Sequence, residues 1–283
     1  MTAKLSITNH RSDIIGLTYI YPVLSRRAGG LSIGINFNPN NTCNWRCIYC
    51  QVPNLSIGSA PELDFDLLAK ELRAFLDDVL HGDFYERFEV EPEKRVIKDI
   101  AIAGNGEPTS LKQFAKAVEL IGAIATEAGV FPTADYVLIT NGSLIHQTKV
   151  QQGLSVLNRY GGQVWFKFDS ATEAGRKLFN NSSQSTRAAL ENLTISCQLC
   201  PTKLQTCLVD YNQQGFKDSE KQAYLSLLKD IRSSCHLQKI MLYTIARHSQ
   251  QPEAPLLQAI SVETLNAFAE DIRQLGFAVS VSA

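Results

Sequence analysis

Apolar positions along the chain recur with two different periods, one typical of β-strands and one typical of α-helices. Short apolar runs with strand character cover residues 31–37, 97–103, 136–140, 164–169, 203–210 and 239–245. Between them, apolar residues recur at helical spacing, as in residues 63–80, where Leu68, Leu72, Phe75 and Val79 share one face. Further helical patterns cover residues 111–126, 144–157, 186–195, 219–232 and 263–275.

The alternation predicts six strand–helix units. Strands that alternate with helices pair in parallel, because each crossover returns the chain to the same end of the sheet. We therefore predict an α/β fold, a partial (β/α)6 TIM-like barrel with parallel strands and the helices outside. Periodicity alone leaves an open, doubly wound sheet as the alternative.

We predict a single domain over residues 1–283. Residues 1–30 form an N-terminal extension, residues 31–250 the barrel core, and residues 256–283 a C-terminal helix and tail. Residues 81–95 are charged and poorly periodic, so we interpret them as a surface insertion that forms a solvated loop. Residues 250–255 are the most linker-like piece.

Composition narrows the functional class. Hydrophobic residues make up 45% of the chain and charged residues 19%, which is typical of a packed globular protein. The net charge of −1 gives no overall positive field, so we expect no DNA partner. No apolar stretch is long enough for a membrane span and the start lacks a secretion signal, so we predict a cytoplasmic protein without membrane contact.

Seven cysteines are present, and three of them lie within eight positions. This pattern favours a reducing compartment and a metal site, and makes disulfide pairing unlikely. Cys43, Cys47 and Cys50 have the spacing C-x3-C-x2-C on a loop just after the first predicted strand. Three thiolates can hold a cubane iron–sulfur cluster and leave one iron open to another ligand.

Two alternatives compete with the cluster. A zinc site needs a fourth ligand, and the nearest histidines, His10 and His81, are not at conventional spacing. Chance clustering of buried cysteines is disfavoured, because a breaker-rich loop is a poor place to bury thiols.

The motif C-x3-C-x-aromatic-C, with Tyr49 in the aromatic position, resembles that of the radical S-adenosylmethionine (SAM) superfamily. This resemblance implies a [4Fe-4S] cluster held by Cys43, Cys47 and Cys50, whose fourth iron binds the amino and carboxylate groups of SAM. It also implies that one electron cleaves SAM to a 5′-deoxyadenosyl radical, which removes hydrogen from a substrate. An external electron donor of flavodoxin or ferredoxin type is expected to reduce the cluster.

Other residues are assigned to the cofactor through the same resemblance. The segment Gly104, Asn105, Gly106 and Glu107 is similar to the family's glycine-rich motif, whose backbone and glutamate receive the methionine ammonium group. Glycines permit close backbone approach and a carboxylate complements a cation. An ordinary strand-to-helix turn is the alternative interpretation.

Polar residues after the later strands complete the predicted site. Asn141 and Ser143 look like the family's ribose-contacting pair. Lys167 and Asp169 share one strand face, and we predict catalytic roles for both, with Asp169 also contacting the cofactor. The predicted site residues that follow the last strand are Ile245, assigned to the cofactor, and Arg247, assigned to catalysis.

A finer resemblance concerns the enzymes that build the tricyclic wyosine base of transfer RNA. It rests on Ser25-Arg26-Arg27, Gln205-Thr206-Cys207 and the run from Tyr243 to Arg247. Those enzymes carry a further N-terminal cysteine set, and no cysteine precedes Cys43 here. Arg26, Arg27 and Arg46 could form a small basic patch, or they could pair with carboxylates.

Three functions compete for this pattern of residues. The first is an enzyme that starts radical chemistry on an unidentified substrate, which is a small molecule, an RNA base or a glycine of a protein partner. The second is a non-catalytic iron–sulfur protein that carries electrons or clusters, and the third is a zinc-stabilised binding module. Cys197, Cys200 and Cys207 could form a second metal site, although Cys207 lies within a predicted strand. The glycine–glutamate turn and the Asn141–Ser143 pair favour the enzyme.

Overall fold

The computed structural model describes residues 16–25 and 29–282. His10 and the predicted basic residues Arg26 and Arg27 lie outside the described residues, as does most of the predicted N-terminal extension. No helix within the described ranges is long and apolar enough to cross a membrane.

The strands are numbered in chain order over the described residues. They are β1 (Ile20–Ser25), β2 (Gly30–Ile35), β3 (Thr42–Cys43), β4 (Ser56–Ile57), β5 (Ile97–Ile102), β6 (Asp135–Thr140), β7 (Gln163–Lys167), β8 (Thr202–Cys207), β9 (Val209–Tyr211), β10 (Leu237–Tyr243), β11 (Leu257–Ala259) and β12 (Val279–Ser282). Eight of them form one sheet, in the order β1-β2-β5-β6-β7-β8-β10-β12. Every neighbouring pair in it is parallel except β1 and β2. The sheet curls into a half-barrel, which confirms the predicted partial barrel.

The α-helices are numbered in the same way. They are α1 (Phe65–His81), α2 (Phe84–Arg87), α3 (Phe114–Glu127), α4 (Thr148–Arg159), α5 (Glu173–Asn180), α6 (Thr186–Leu199), α7 (Asp218–Ile231) and α8 (Val262–Gln274). Short 3-10 turns occupy Pro92–Lys94, Pro108–Ser110 and Ala254–Leu256. Most of the long helices start where the apolar periodicity starts. Helix α1 begins directly after its N-cap residue Asp64, whose side chain accepts a hydrogen bond from the amide of Leu67 at 2.9 Å.

The two faces of the main sheet differ in composition. On one face, register partners such as Ile33 and Ile100 are fully buried in the core formed with the helices. On the other face, Gly34, Ala101 and Lys167 line a cavity. Since side chains alternate between faces along a strand, the helices cover the first face and leave the second for the site.

Strands β1 and β12 and helix α5 are among the elements that do not show in the sequence pattern. Strand β1 lies where the pattern indicates an irregular opening, but it pairs antiparallel with β2 at the edge of the sheet. Pro22 is tolerated in this edge strand because its position does not need to donate an N–H group to a neighbouring strand. Strand β12 lies in the predicted tail and adds a parallel strand beside β10. Helix α5 is only eight residues long, and no predicted helical pattern covers it.

The segment 81–95 is not simply a solvated loop. It contains α2 and the Pro92–Lys94 turn, and the Phe84 side chain is fully buried. The Phe84 ring packs edge-on against Phe75 of α1 at 5.2 Å between centroids. One aromatic side chain therefore anchors a charged segment whose average composition indicates full exposure.

The expectation that the cysteines stay unpaired is wrong for one pair. Cys197, in the last turn of α6, forms a disulfide with Cys235, which follows α7. The sequence separation of 38 residues conceals this contact, which depends on the packing of two helix ends. Cys200 is buried and donates to the carbonyl of Gly162 at 3.4 Å, and Cys207 lies on the cavity. Of the three cysteines considered for a second metal site, one is in a disulfide, one is hydrogen-bonded to Gly162 and one lines the cavity.

Candidate functional site

The three-cysteine loop lies at the carboxyl end of β2 and is held by backbone contacts. Strand β3, which ends at Cys43, pairs with β4 further along the loop. The amide of Arg46 donates to the carbonyl of Asn180 at 3.2 Å, and the amide of Ile48 donates to that of Phe179 at 2.9 Å. The end of α5 therefore serves as the anchor for the central part of the loop.

A second segment holds the loop from the opposite side. The hydroxyl of Ser249 donates to the carbonyls of Ile48 and Cys50, and the amide of Gln250 donates to that of Cys50 at 2.8 Å. The Arg46 guanidinium forms two hydrogen bonds of 2.7 Å with the carboxylate of Glu253. The segment interpreted as linker-like thus fixes the cysteine loop, and Arg46 pairs with a carboxylate.

The three thiols are free and partly accessible. Burial raises the pKa of Cys43 to about 12 and that of Cys47 to about 11, and burial also raises the pKa of Cys50. Metal binding would therefore release protons from this loop. The amide of Trp45 donates to the Cys43 sulfur at 3.5 Å, and the Asn180 side chain donates to the Cys47 sulfur at 3.3 Å.

These three sulfurs fit an iron–sulfur cluster, because cysteines that are not in disulfides and whose sulfurs accept N–H hydrogen bonds are the usual cluster ligands. Among residues 16–25 and 29–282, no three Cys, His, Asp or Glu side chains are already grouped closely enough to hold a metal ion. The fit therefore rests on the chemistry of the three sulfurs and their hydrogen-bond donors.

Two of the cysteines open onto a cavity of about 670 Å³ on the concave face of the sheet. Its size is within the range of small-molecule and cofactor sites. The predicted site residues on its wall are Cys47, Tyr49, Cys50, Gly104, Lys167, Ile245 and Arg247. These residues come from distant parts of the sequence, and the carboxyl ends of the parallel strands bring them to one wall.

Asp169 is the centre of a buried network beside this cavity. Its carboxylate accepts hydrogen bonds from the hydroxyl of Tyr49, from the Asn180 side chain at 2.6 Å and from the amide of Cys207 at 2.9 Å. Lys167 forms an ion pair with it at 3.4 Å. Because Asn180 also donates to Cys47, the network connects the predicted catalytic pair to a predicted cluster ligand.

Lys167 lies among aromatic and acidic partners. Its ammonium is 4.6 Å from the centre of the Tyr49 ring and 3.1 Å from the hydroxyl of Tyr243. Burial lowers the pKa of Lys167, but the negative charge of Asp169 and the other partners raises it, and the net shift is upward. The lysine is therefore held protonated, and it acts as a fixed positive charge at the cavity wall.

The glycine-rich turn contacts the cysteine loop more than the cavity. Gly104 lines the cavity with a φ of +145°, which favours glycine. The Asn105 side chain donates to Asn41 at 2.7 Å. The buried Glu107 carboxylate accepts from the amide of Asn141 at 2.7 Å, and also from Thr109 and Thr140. Burial raises the pKa of Glu107, although these hydrogen bonds lower it.

Replacing Gly106 with alanine is expected to disturb the cysteine loop. A Cβ atom there would lie 1.9 Å from the carbonyl oxygen of Thr42, next to Cys43, and this overlap with backbone must move the loop. We expect a loss of about 1–3 kcal/mol in the free energy of unfolding and lower iron content after reconstitution. Gly58→Ala is the matched control, since its Cβ would make only ordinary contact at 3.4 Å with Thr42. Equal iron content in both variants would contradict this prediction.

Asn141 and Ser143 are joined to the cysteine loop through Asn44. The Asn141 side chain donates to the Asn44 side-chain oxygen at 2.8 Å, and the side-chain amide of Asn44 donates to the hydroxyl of Ser143 at 2.8 Å. The sequence resemblance assigns the pair to ribose and does not include Asn44. In the structure, the side chains of both residues are hydrogen-bonded to Asn44, which follows Cys43.

Several residues of the site do not show in the sequence. Asn180 ends a helix that the periodicity does not predict. Asp99, Ser32 and Trp165 line the cavity from positions inside strands, where alternation identifies the face but not a role. Asp99 is a carboxylate inside a mostly apolar strand, and this is the signal that could have identified this part of the site.

Asp99 is predicted to make stability depend on pH. Burial raises its pKa from 3.8 to about 6, and the charge of Asp135 adds to this shift. A carboxyl whose folded pKa is raised destabilises the fold when it ionises, so its cost appears as pH rises from 3.8 to about 6. A shift of about two units corresponds to about 3 kcal/mol. Asp99→Asn should therefore gain stability over the unmodified protein by about this amount between about pH 4 and about pH 8, measured by urea unfolding. A difference independent of pH would contradict the assignment.

Sequence comparisons give partial relatives. No protein-family model matches the chain. GTPase Obg of Brachyspira hyodysenteriae (strain ATCC 49526 / WA1) is 33% identical over 135 residues, which are 48% of this chain and 17% of that protein. A UPF0026 protein of Helicobacter pylori (strain J99 / ATCC 700824) is 26% identical over 242 residues, which are 81% of this chain and 66% of that protein. The chain thus spans less than two thirds of the length of either relative.

Solved structures give a broader match. A radical SAM methyltransferase from Sphaerobacter thermophilus superposes with a TM-score of 0.61 and 15% identity, over 93% of this chain and 68% of that chain. A mutant of spore photoproduct lyase superposes with a TM-score of 0.53 and 12% identity, over 85% of this chain and 74% of that chain. At these identities the comparison establishes the fold.

Proposed function

We propose that this chain, which has the fold of the radical SAM enzymes, is itself a radical SAM enzyme acting on a substrate that is still unidentified. Cys43, Cys47 and Cys50 would hold a [4Fe-4S] cluster, and SAM would bind beside it in the cavity. With SAM bound there, the reduced cluster would supply the electron that cleaves SAM and starts radical chemistry on the substrate.

One observation carries the proposal. Cys47 and Cys50 open onto a cavity of about 670 Å³ at the carboxyl ends of parallel strands. An electron carrier needs a cluster close to the surface but no ligand-sized cavity beside it. The cavity therefore favours an enzyme over the non-catalytic carrier.

The residues of the cavity wall have separate roles in this proposal. Tyr49, Gly104 and Ile245 contact the cofactor, since they lie on the wall near the cysteine loop. Lys167 contributes a fixed positive charge, and Arg247 contributes a second one just after β10. These charges would orient a polar substrate in the cavity.

The remaining predicted site residues act by positioning the cavity wall and the cysteine loop. Asn105, Gly106 and Glu107 keep the glycine-rich turn against the cysteine loop, and Asn141 and Ser143 hold Asn44. Asp169 holds Tyr49 and Asn180 in place. We therefore assign them to positioning, and this includes Glu107, whose carboxylate already accepts several internal hydrogen bonds.

We also propose the wider context predicted from the sequence. The electron donor is of flavodoxin or ferredoxin type, the protein is cytoplasmic, and the substrate is a small molecule, an RNA base or a protein glycine. The resemblance to wyosine-forming enzymes belongs to the RNA alternative and stays a prediction.

The test is release of 5′-deoxyadenosine by the full chain. The protein is purified without oxygen, reconstituted with iron and sulfide, reduced with dithionite and given SAM. We expect a cluster with an electron paramagnetic resonance signal that changes when SAM is added, together with 5′-deoxyadenosine in the supernatant. A protein with a full cluster that yields neither would support the non-catalytic carrier instead.

A further inference from the structure

A strip of small side chains runs along the cavity wall on β5 and the two residues that follow it. Asp99, Ala101 and Ala103 alternate onto the concave face, and Gly104 comes next at the carboxyl end of the strand; all four line the cavity. Asp99 lies four residues before Ala103, which corresponds to about 13 Å along a strand. The strip therefore connects the glycine-rich turn, which contacts the cysteine loop, with one carboxylate.

Asp99 has fewer hydrogen-bond donors around it than the other buried carboxylates in residues 16–25 and 29–282. The others are Glu71, Glu107 and Asp169, and each accepts at least two hydrogen bonds within the protein. Asp99 accepts one, from the hydroxyl of its register partner Ser32 on β2. One oxygen of a carboxylate side chain on a residue that is only 6% exposed therefore has no donor in the described part of the protein.

The negative charge of Asp99 has no ion-pair partner among the residues that the structure describes. Burial raises its pKa to about 6, and the charge of Asp135 on the neighbouring strand adds to the rise. The carboxylate is still ionised at neutral pH, where its charge costs the fold stability. Buried charges are normally paired or bound to a ligand. A destabilising carboxylate on a cavity wall is therefore suited to a cationic partner from outside the protein.

Tyr21 covers the strand next to Asp99. Its ring lies over Gly34, where a Cβ atom would come within 2.1 to 2.5 Å of three ring atoms. Gly34 is level with Ala101, the next residue after Asp99 on the same face of β5. Burial raises the pKa of the Tyr21 phenol to about 12, the Asp99 carboxylate adds to the rise, and Arg247 opposes it. The neutral ring and the carboxylate therefore border the same end of the strip, and an aromatic ring beside a carboxylate is favourable for a cation.

We propose that Asp99 binds an ammonium group of the substrate, and that the reacting part of the same substrate lies at the other end of the strip, beside the cysteine loop. The substrate is then an elongated molecule with a cationic end, and the two ends lie at strand levels about 13 Å apart. This inference rests on the proposed function, because it assumes that the substrate enters this cavity.

Other ligand groups match Asp99 less well. A carboxylate or phosphate group would be repelled by its charge. A guanidinium group donates to two carboxylate oxygens at once, whereas Ser32 already donates to one of them. A divalent cation needs several oxygen ligands, and Asp99 is the only carboxylate that the described residues contribute to the cavity wall. An ammonium group is a compact charge that a single open oxygen can bind.

The ammonium group of SAM is a weaker candidate for the same position. In the proposed function it binds the cluster iron, which lies at the cysteine loop and therefore at the opposite end of the strip. The Asp99 carboxylate remains open when the cofactor is bound in that way. The substrate is then the source of the cation.

The test measures binding of small probes to the reconstituted full chain, with its cluster oxidised so that SAM is not cleaved. The probes are butylammonium, butanol and butyrate, which have the same chain length and differ in charge. Titrations followed by saturation transfer from protein to probe in nuclear magnetic resonance give each affinity, with and without SAM. We expect butylammonium to bind about tenfold more tightly than butanol. Butyrate should bind more weakly than both, and SAM should leave this order unchanged.

Asp99→Asn removes the charge and keeps the size of the side chain. It should weaken butylammonium binding about tenfold, as expected for a lost hydrogen bond to a charged group, and leave butanol binding nearly unchanged. Because this variant is expected to gain stability, loss of binding reports on the charge and not on the fold. Asp135→Asn is the matched control. It removes the same charge from the register partner of Asp99 on β6, which does not line the cavity, and asparagine can still accept from Gln163. We expect it to change butylammonium binding by about twofold or less.

The outcomes separate this inference from the proposed function. Butylammonium that does not bind, or that binds no more tightly than butanol, overturns the subsite. So does a preference for butylammonium that persists in Asp99→Asn, and so does displacement of butylammonium by SAM, which would assign Asp99 to the cofactor. These results can occur in a protein that releases 5′-deoxyadenosine, whereas failure of the proposed function appears as absence of that product regardless of the probes.

Discussion

Replacing Cys47 with alanine is expected to reduce the release of 5′-deoxyadenosine to background. The Cys47 sulfur is one of three on the loop, it lines the cavity, and it accepts from Asn180 at 3.3 Å. With one sulfur missing, two ligands remain for the proposed cluster. Removing one member of an interdependent catalytic unit costs on the order of 10³-fold or more in rate. Chromatography of the product and iron analysis of the same sample measure the effect.

Cys200→Ala is the matched control for this loss. Cys200 is also free, but it is buried, follows α6 and donates to the carbonyl of Gly162, away from the cavity. We expect this variant to keep its iron and its product. Product release from Cys47→Ala at the level of Cys200→Ala would show that the loop does not hold the reactive centre.

The fold is largely accessible to sequence reasoning where periodicity is long and strong. Helix α1 presents Leu68, Leu72 and Phe75 on one buried face, and such a stripe is specific to a helix. Short elements are not accessible. Helix α5 has eight residues, and β12 has four, all of them only partly buried. In elements this short, tertiary contacts decide the conformation, and a local pattern cannot show them.

The site is predictable where a motif marks it and not where long-range packing builds it. The spacing of Cys43, Cys47 and Cys50 shows in the sequence by itself. The roles of Asn44 and Asn180 depend on contacts across 99 and 133 residues, to Ser143 and Cys47 respectively. Asparagine is common in turns and helix ends, so neither residue differs from its background in the sequence.

Replacing Asp169 with alanine is expected to cost the fold more stability than any other single substitution around the cavity. The carboxylate side chain is fully buried, and the Lys167 side chain that pairs with it is 16% exposed. Without Asp169, the ammonium of Lys167 loses its compensating charge, and the side chains of Tyr49 and Asn180 lose an acceptor. Breaking a buried ion pair from one side costs about 3–5 kcal/mol. Urea unfolding monitored by circular dichroism measures the loss.

A double variant separates the unpaired charge from the lost hydrogen bonds. In Lys167→Met with Asp169→Ala neither charge of the pair remains, so part of the stability lost in Asp169→Ala should return. Glu62→Ala, at an exposed position outside the sheet, controls for loss of a carboxylate and should change stability by about 0.5 kcal/mol or less. If Lys167→Met lowers stability in the Asp169→Ala background as much as it does in the unmodified protein, the unpaired lysine charge is not the cause of the loss in Asp169→Ala. The hydrogen bonds that hold Tyr49 and Asn180 would then account for the stability of this wall, because they are lost in both variants.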